Sequence, residues 1–189
     1  MRAILRVRVA VLAAGLGLAA IAPAMANDIF LKLPNVTGTV THAGFAGDIQ
    51  LTAYSQGFTD PATISTGTGS GAGRTNCGDI SITKAVDSTS PEFLQYVVRG
   101  VAIPGVTIYF LGSVNGANPA NVPYTIALTN VRVTAISQGD TLSHTSGLGM
   151  TESISMVAEK FQFTYRSVNL DGSVGKTEIF SWNCSTNSP

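Results

Sequence analysis

Two cysteines, Cys77 and Cys184, carry the clearest chemistry in the chain. An even pair in an oxidising compartment reads as one disulfide. Two buried free thiols, packing as small hydrophobes, are the other arrangement open to them. A disulfide needs Cα atoms within about 7 Å, so it requires the two segments to be neighbours in the fold. The histidines, His42 and His144, lie in Gly/Thr/Ser-rich stretches that read as exposed loops. No cysteine–histidine cluster has the spacing of a zinc site, so no metal is expected. Gly67-x-Gly69-x-x-Ala72 partly matches a dinucleotide fingerprint. That fingerprint needs a helix directly behind it to hold phosphate, whereas Cys77 to Lys84 patterns as a strand. Gly73-Arg74-Thr75 hints at a phosphate loop, but Thr68 stands where its first glycine belongs and Arg74 where its lysine belongs. No nucleotide cofactor is expected. Ser70, between Gly69 and Gly71, sits in the same loop and not on the strand-to-helix elbow of a hydrolase. Glu152, Glu159 and Glu178 fall at strand positions that read as solvent-facing, and a paired-carboxylate site would need partners from distant segments. No enzymatic activity is expected.

The amino terminus bears on the compartment. Arg2, Arg6 and Arg8 precede an uncharged apolar run from Val9 to Ala22, then Pro23 and Ala24-Met25-Ala26. Basic head, apolar middle and Ala-x-Ala end is the order of a secretory signal, predicted to be cut between Ala26 and Asn27. The apolar run of about 14 residues is short for a permanent membrane anchor. Residues 27–189 then form one domain, exported to the periplasm or beyond. If Met25 is the true start, the protein is cytoplasmic. Loss of three arginines leaves 8 basic against 11 acidic residues. No basic stripe is present, so no nucleic-acid partner is expected.

Strand patterning dominates residues 27–189. Alternating apolar residues predict strands over Ile29–Leu33, Ile49–Tyr54, Ile80–Thr83, Val106–Phe110, Tyr124–Ala135, Ile154–Tyr165 and Ile179–Cys184. A bulge is expected at Thr129-Asn130. Turn chemistry stands at Pro34-Asn35, Asn115-Gly116, Gly139-Asp140 and Asp171-Gly172, the last being the best hairpin candidate. One short helix is predicted, capped by Ser88 or Ser90, with Pro91 and Glu92 in its first turn and Gly100 ending it. Phe93, Leu94, Tyr96, Val97 and Val98 give it an apolar face. Some seven strands and one helix imply a small closed barrel or sandwich. The segment Gln56 to Arg74 is glycine-rich and poorly patterned, a length usually reserved for a functional or disordered loop.

Several stretches, in order, resemble the ring-forming tube protein family of type VI secretion systems, the haemolysin-coregulated protein (Hcp) family. Asn27-Asp28-Ile29-Phe30-Leu31-Lys32 resembles its opening strand, and Ile49 to Phe58 its second strand. Thr66 to Arg74 resembles the end of its extended loop. Asn76 to Val86 and Asp87-Ser88-Thr89-Ser90-Pro91 resemble its strand and helix entry. Thr151 to Met156 and Phe180-Ser181-Trp182-Asn183 resemble its late and terminal strands. The resemblance implies a mainly β fold, a two-sheet antiparallel β-barrel with one short α-helix and a long Gly-rich extended loop. It implies hexameric rings, stacked into a tube that conducts effectors, and secretion-system tip or effector proteins as partners. By the same resemblance Gln56, Phe58, Asp60, Ile64, Gly69, Gly71 and Arg74 belong to a ring-assembly loop. Family members normally lack a cleavable signal. An exported binding or adhesive module on the same fold is therefore the alternative.

Overall fold

The computed structural model describes residues 28–61, 74–112, 118–140, 149–169 and 173–189. The signal-like segment, the cleavage position, Ile64, Gly69, Gly71, His144, Asn115-Gly116 and Asp171-Gly172 lie outside them. Ten strands are described: β1 Ile29–Lys32, β2 Ile49–Leu51, β3 Ala53–Ser55, β4 Phe58–Thr59, β5 Asn76–Cys77, β6 Ile80–Ala85, β7 Ile103–Phe110, β8 Tyr124–Asp140, β9 Met150–Val168 and β10 Val174–Asn183. One α-helix, α1, spans Ser90–Arg99. The chain is mainly β, as expected.

The two sheets are unequal. Eight strands form one antiparallel sheet in the order β2-β1-β7-β8-β9-β6-β3, with β10 added to β9; β4 and β5 form a separate two-stranded ribbon. Only Thr52 separates β2 from β3, and its amide donates to the Thr83 carbonyl at 2.8 Å. The sheet therefore nearly closes on itself through this bent strand, which removes most of the free edge that an open sheet would carry.

Strand alternation builds the core. Leu31, Ile80, Ile82, Ile108, Ile126, Val131, Ile154 and Met156 point inward and are all but inaccessible. β1 is apolar on both faces for a reason: Leu31 enters this core, while Phe30 joins Phe45, Leu111 and Val122 in a second cluster on the other side. His42 packs its ring 5.7 Å from both Phe30 and Phe45 and is half-buried, not the exposed loop residue its setting implied. Gly38 lies against the Asp48 backbone, where a Cβ would stand 2.2 Å from the Asp48 oxygen.

Three local expectations are corrected. Gly139-Asp140 is not a turn, because β8 continues through Asp140 paired to β9. The register runs unbroken past Thr129-Asn130, although Asn130 has φ 52; the irregularity falls between Val133 and Ala135. Thr89, not Ser88 or Ser90, stands at the helix N-cap, and its side chain makes no cap bond. Gly100 does end α1, in the left-handed region at φ 61. Of the predicted apolar face, Phe93 is buried, whereas Leu94 and Val98 face outward at 40% and 84% exposure.

Candidate assembly surface

The most polar buried site lies where α1 closes one end of the barrel. Lys84 follows Ile80 and Ile82 at inward positions, and Glu152 precedes Ile154 and Met156 in the same phase. The β6–β9 register sets Lys84 opposite Glu152. Their charges meet at 2.9 Å, with both side chains fully enclosed. Lys84 also contacts Asp87 Oδ1 at 2.7 Å and donates to the Ala85 carbonyl at 2.9 Å. Ser90 Oγ donates to Glu152 Oε1 at 2.8 Å, and Gln138 Nε2 to Glu152 Oε2 at 2.9 Å. Asp87 Oδ1 accepts from the Thr89 amide and hydroxyl at 2.8 and 2.6 Å. Burial pushes the Asp87 carboxyl up, but bonds from Lys84 and Thr89 outweigh it and hold its pKa below the usual 3.8.

Serine beside lysine has the composition of a nucleophile and its base. Here Ser90 is 3% exposed and committed to Glu152, so no substrate reaches it. The cluster pins the helix to the barrel. Sequence reasoning took Glu152 for a solvent-facing residue. The signal that locates it is its phase with Ile154, matched by Lys84 in phase with Ile82. Glu159 is half-buried and accepts from Asn130 Nδ2 at 2.7 Å, while Glu178 is exposed and paired with Lys176.

A second site gathers the ends of the loop segment. Cys77 and Cys184 form a disulfide with Cα atoms 6.2 Å apart. Their strands do not pair with each other: β5 pairs with β4, β10 pairs with β9, and Cys184 lies one residue past β10. Cys77 likewise belongs to the ribbon and not to β6. Arg74 Nη2 donates to the Cys184 and Ser185 carbonyls at 2.9 and 2.8 Å. The Thr75 amide donates to Asn187 Oδ1 at 2.9 Å. Phe58, 37% exposed, sets its ring edge-on to Phe161 and Phe163 at 5.1 and 5.8 Å. Gln56 is half-buried and donates to the Gly57 carbonyl; Asp60 is exposed. Of the predicted loop residues, Phe58 and Arg74 thus come together at the carboxyl-terminal end of β10, and Gln56 lies just before the ribbon.

β9 is the long spine of this surface. Its first half pairs with β6 and its second half with β10. The buried positions change phase between Met156 and Phe161, and Phe161 is still in the main core at 1% exposure. Phe161, Phe163, Phe180 and Trp182 stack there as a ladder with ring centres 6.0 to 6.4 Å apart. Phe180 and Tyr165 are 55% and 53% exposed, and Ile179 on the other face is 63% exposed. Among the described residues β9 is the only strand paired with β10; the outer edge of β10 is open except at Asn183, which bridges to Ser188. On the outward face the rows Ala127–Gln162–Ser181 and Thr129–Lys160–Asn183 are small and polar, and line a cleft of about 470 Å³.

A nearly closed antiparallel barrel with one helix, a branched tenth strand and a small separate ribbon defines the fold. Residues 30–171 match the family described as type VI secretion system effector, Hcp, and the chain belongs to that family. No curated protein matches the chain. Among solved structures, a type six secretion system protein aligns with TM-score 0.76 at 19% identity, covering 86% of this chain and 99% of that one. Hcp1 from Salmonella typhimurium aligns with TM-score 0.66 at 19% identity, covering 87% and 99%. A type VI secretion system effector from Yersinia pestis aligns with TM-score 0.63 at 19% identity, covering 82% and 99%. At these identities the likeness establishes the fold.

Proposed function

We propose that this chain is a structural ring subunit, assembling as hexamers that stack into a tube and acting as effector conduit or as a secreted effector. The observation that carries this reading is the open edge of β10 beside exposed Ile179, Phe180 and Tyr165. A strand edge with exposed apolar side chains beside it is a ready site for a second chain. Segment Gln56–Arg74 serves as the ring-assembly loop, rooted beside that edge by Arg74 and Cys77. The test is native mass spectrometry without reductant on the wild type and on Phe180→Asp. A wild-type hexamer that the substitution splits into folded monomers supports the reading. A wild-type monomer across the accessible concentration range overturns it.

A second reading, an exported binding module that has left the secretion machine, is favoured by the disulfide together with the signal-like first 26 residues. On this reading the chain crosses the membrane, is cut after Ala26 and works as a monomer. The same spectrum decides it: an oxidised monomer beginning at Asn27, from the exported fraction, is its signature. A chain beginning at Met25 with free thiols contradicts it.

A further inference from the structure

The disulfide stands at a joint, against the margin of the barrel core. The β4–β5 ribbon, Phe58–Thr59 against Asn76–Cys77, is a sheet of its own. It leaves the barrel through Gly57 and returns through Gly78, whose amide donates to the Gly57 carbonyl at 2.8 Å. A Cβ at Gly78 would stand 2.7 Å from the Gly57 oxygen, and nothing lies within 4 Å of a Cβ at Gly57. Two glycines thus form a narrow neck with wide conformational freedom.

Beyond this neck, the described part of the ribbon is tied to the end of β10 and to β9. Among the ties are the Cys77–Cys184 bond, the exposed Arg74 side chain on the Cys184 and Ser185 carbonyls, Thr75 on Asn187, and the half-covered Phe58 ring against Phe161 and Phe163 of β9. The inward residues on β6, β7 and β8 pack against one another and are buried, and Cys77 and Cys184 touch this core only at its margin. Both cysteines are half-buried, unlike the fully enclosed side chains of the core.

We propose that the Cys77–Cys184 disulfide is a redox clasp: its reduction by a dithiol frees the ribbon, swinging on the Gly57–Gly78 neck, from the carboxyl-terminal segment while the barrel stays folded. One thiolate of the dithiol attacks a cystine sulfur, the Cys77–Cys184 bond breaks, and a mixed disulfide forms. The second thiol resolves it, so that the dithiol is oxidised and two cysteine thiols result, two electrons and two protons having been transferred. In consequence, and here the inference rests on the assembly reading, rings form from the oxidised chain and loosen on reduction, because the clasp fixes the root of the assembly loop beside the β10 edge.

The test is hydrogen exchange on the full chain, oxidised, with dithiothreitol, and as the Cys77→Ser/Cys184→Ser double variant without reductant, each sample also taken to native mass spectrometry. The clasp predicts exchange on the order of ten-fold faster or more at Thr75, whose amide is the one bonded across the joint to Asn187, while β6 and β7 amides stay protected over the same hours. Unchanged exchange at Thr75 overturns it. So does loss of protection in β6 and β7 together with Thr75, which makes the bond a staple of the whole fold. Faster Thr75 exchange with monomers in every sample supports the clasp and removes the assembly reading.

Discussion

At the residue scale the decisive feature is the enclosed Lys84–Glu152 pair, because burying charge costs several kcal/mol per ion unless every partner is in place. Glu152 has all of its partners: Lys84, Ser90 and Gln138. Glu152→Gln keeps the shape but leaves Lys84 with only the partly exposed Asp87 as a counter-charge. It is expected to cost about 3–5 kcal/mol of unfolding free energy, read by urea denaturation. Replacing both partners, as Lys84→Met with Glu152→Leu, is expected to cost less than Glu152→Gln alone. An equal or greater loss in the double variant contradicts this. Asp87 adds a pH signature. Its folded pKa lies below 3.8, so it contributes stability above the unfolded value that is lost as pH falls through the folded one. Asp87→Asn should therefore be the less stable protein at neutral pH, with the gap to wild type closing below about pH 4. Asp48 has the opposite sign: burial raises its pKa against the pull of Lys32, so its contribution falls as pH rises through that value.

At the scale of elements, strands and helix were legible wherever one face meets the core. The alternation Ile80-Ser81-Ile82-Thr83 became β6, and Pro91 to Gly100 became α1 with its glycine stop. What failed did so for physical reasons. Gly139-Asp140 has turn composition, but pairing with Thr151 and Met150 on β9 overrides local preference. The charge of Glu152 suggests a solvent-facing residue, whereas its strand phase with Ile154 turns it inward. The helix cap was misassigned because Ser90, the better capping residue by type, is drawn inward by Glu152. Within the candidate site, the cysteine pair was readable from number alone, but not that a separate ribbon carries one of them. Gly100 tests the helix end directly. With φ 61 and nothing within 4 Å of a Cβ, Gly100→Ala meets no neighbour and suffers only backbone strain. It is expected to cost about 1 kcal/mol, measured as a lowered midpoint with the slope unchanged.

At the scale of the whole molecule, the covalent loop matters more than the contacts around it. Cys77 and Cys184 are 107 positions apart, so β6, α1 and β7 through β10 all lie inside one ring of chain. Restricting the unfolded chain this far stabilises the fold by about 4–5 kcal/mol in the chain-entropy model, a figure that measured cases often undershoot. This effect acts on the unfolded state, whereas the clasp concerns an opening of the native state, and the two are separable by experiment. In urea, the Cys77→Ser/Cys184→Ser variant should unfold at a lower midpoint. Its dependence on urea should be steeper, because an untied chain expands further and exposes more surface. A lower midpoint with the same slope places the lost stability in native contacts at the ribbon instead. An unchanged midpoint means that the bond stabilises neither state over the other, which leaves movement of the ribbon as its consequence.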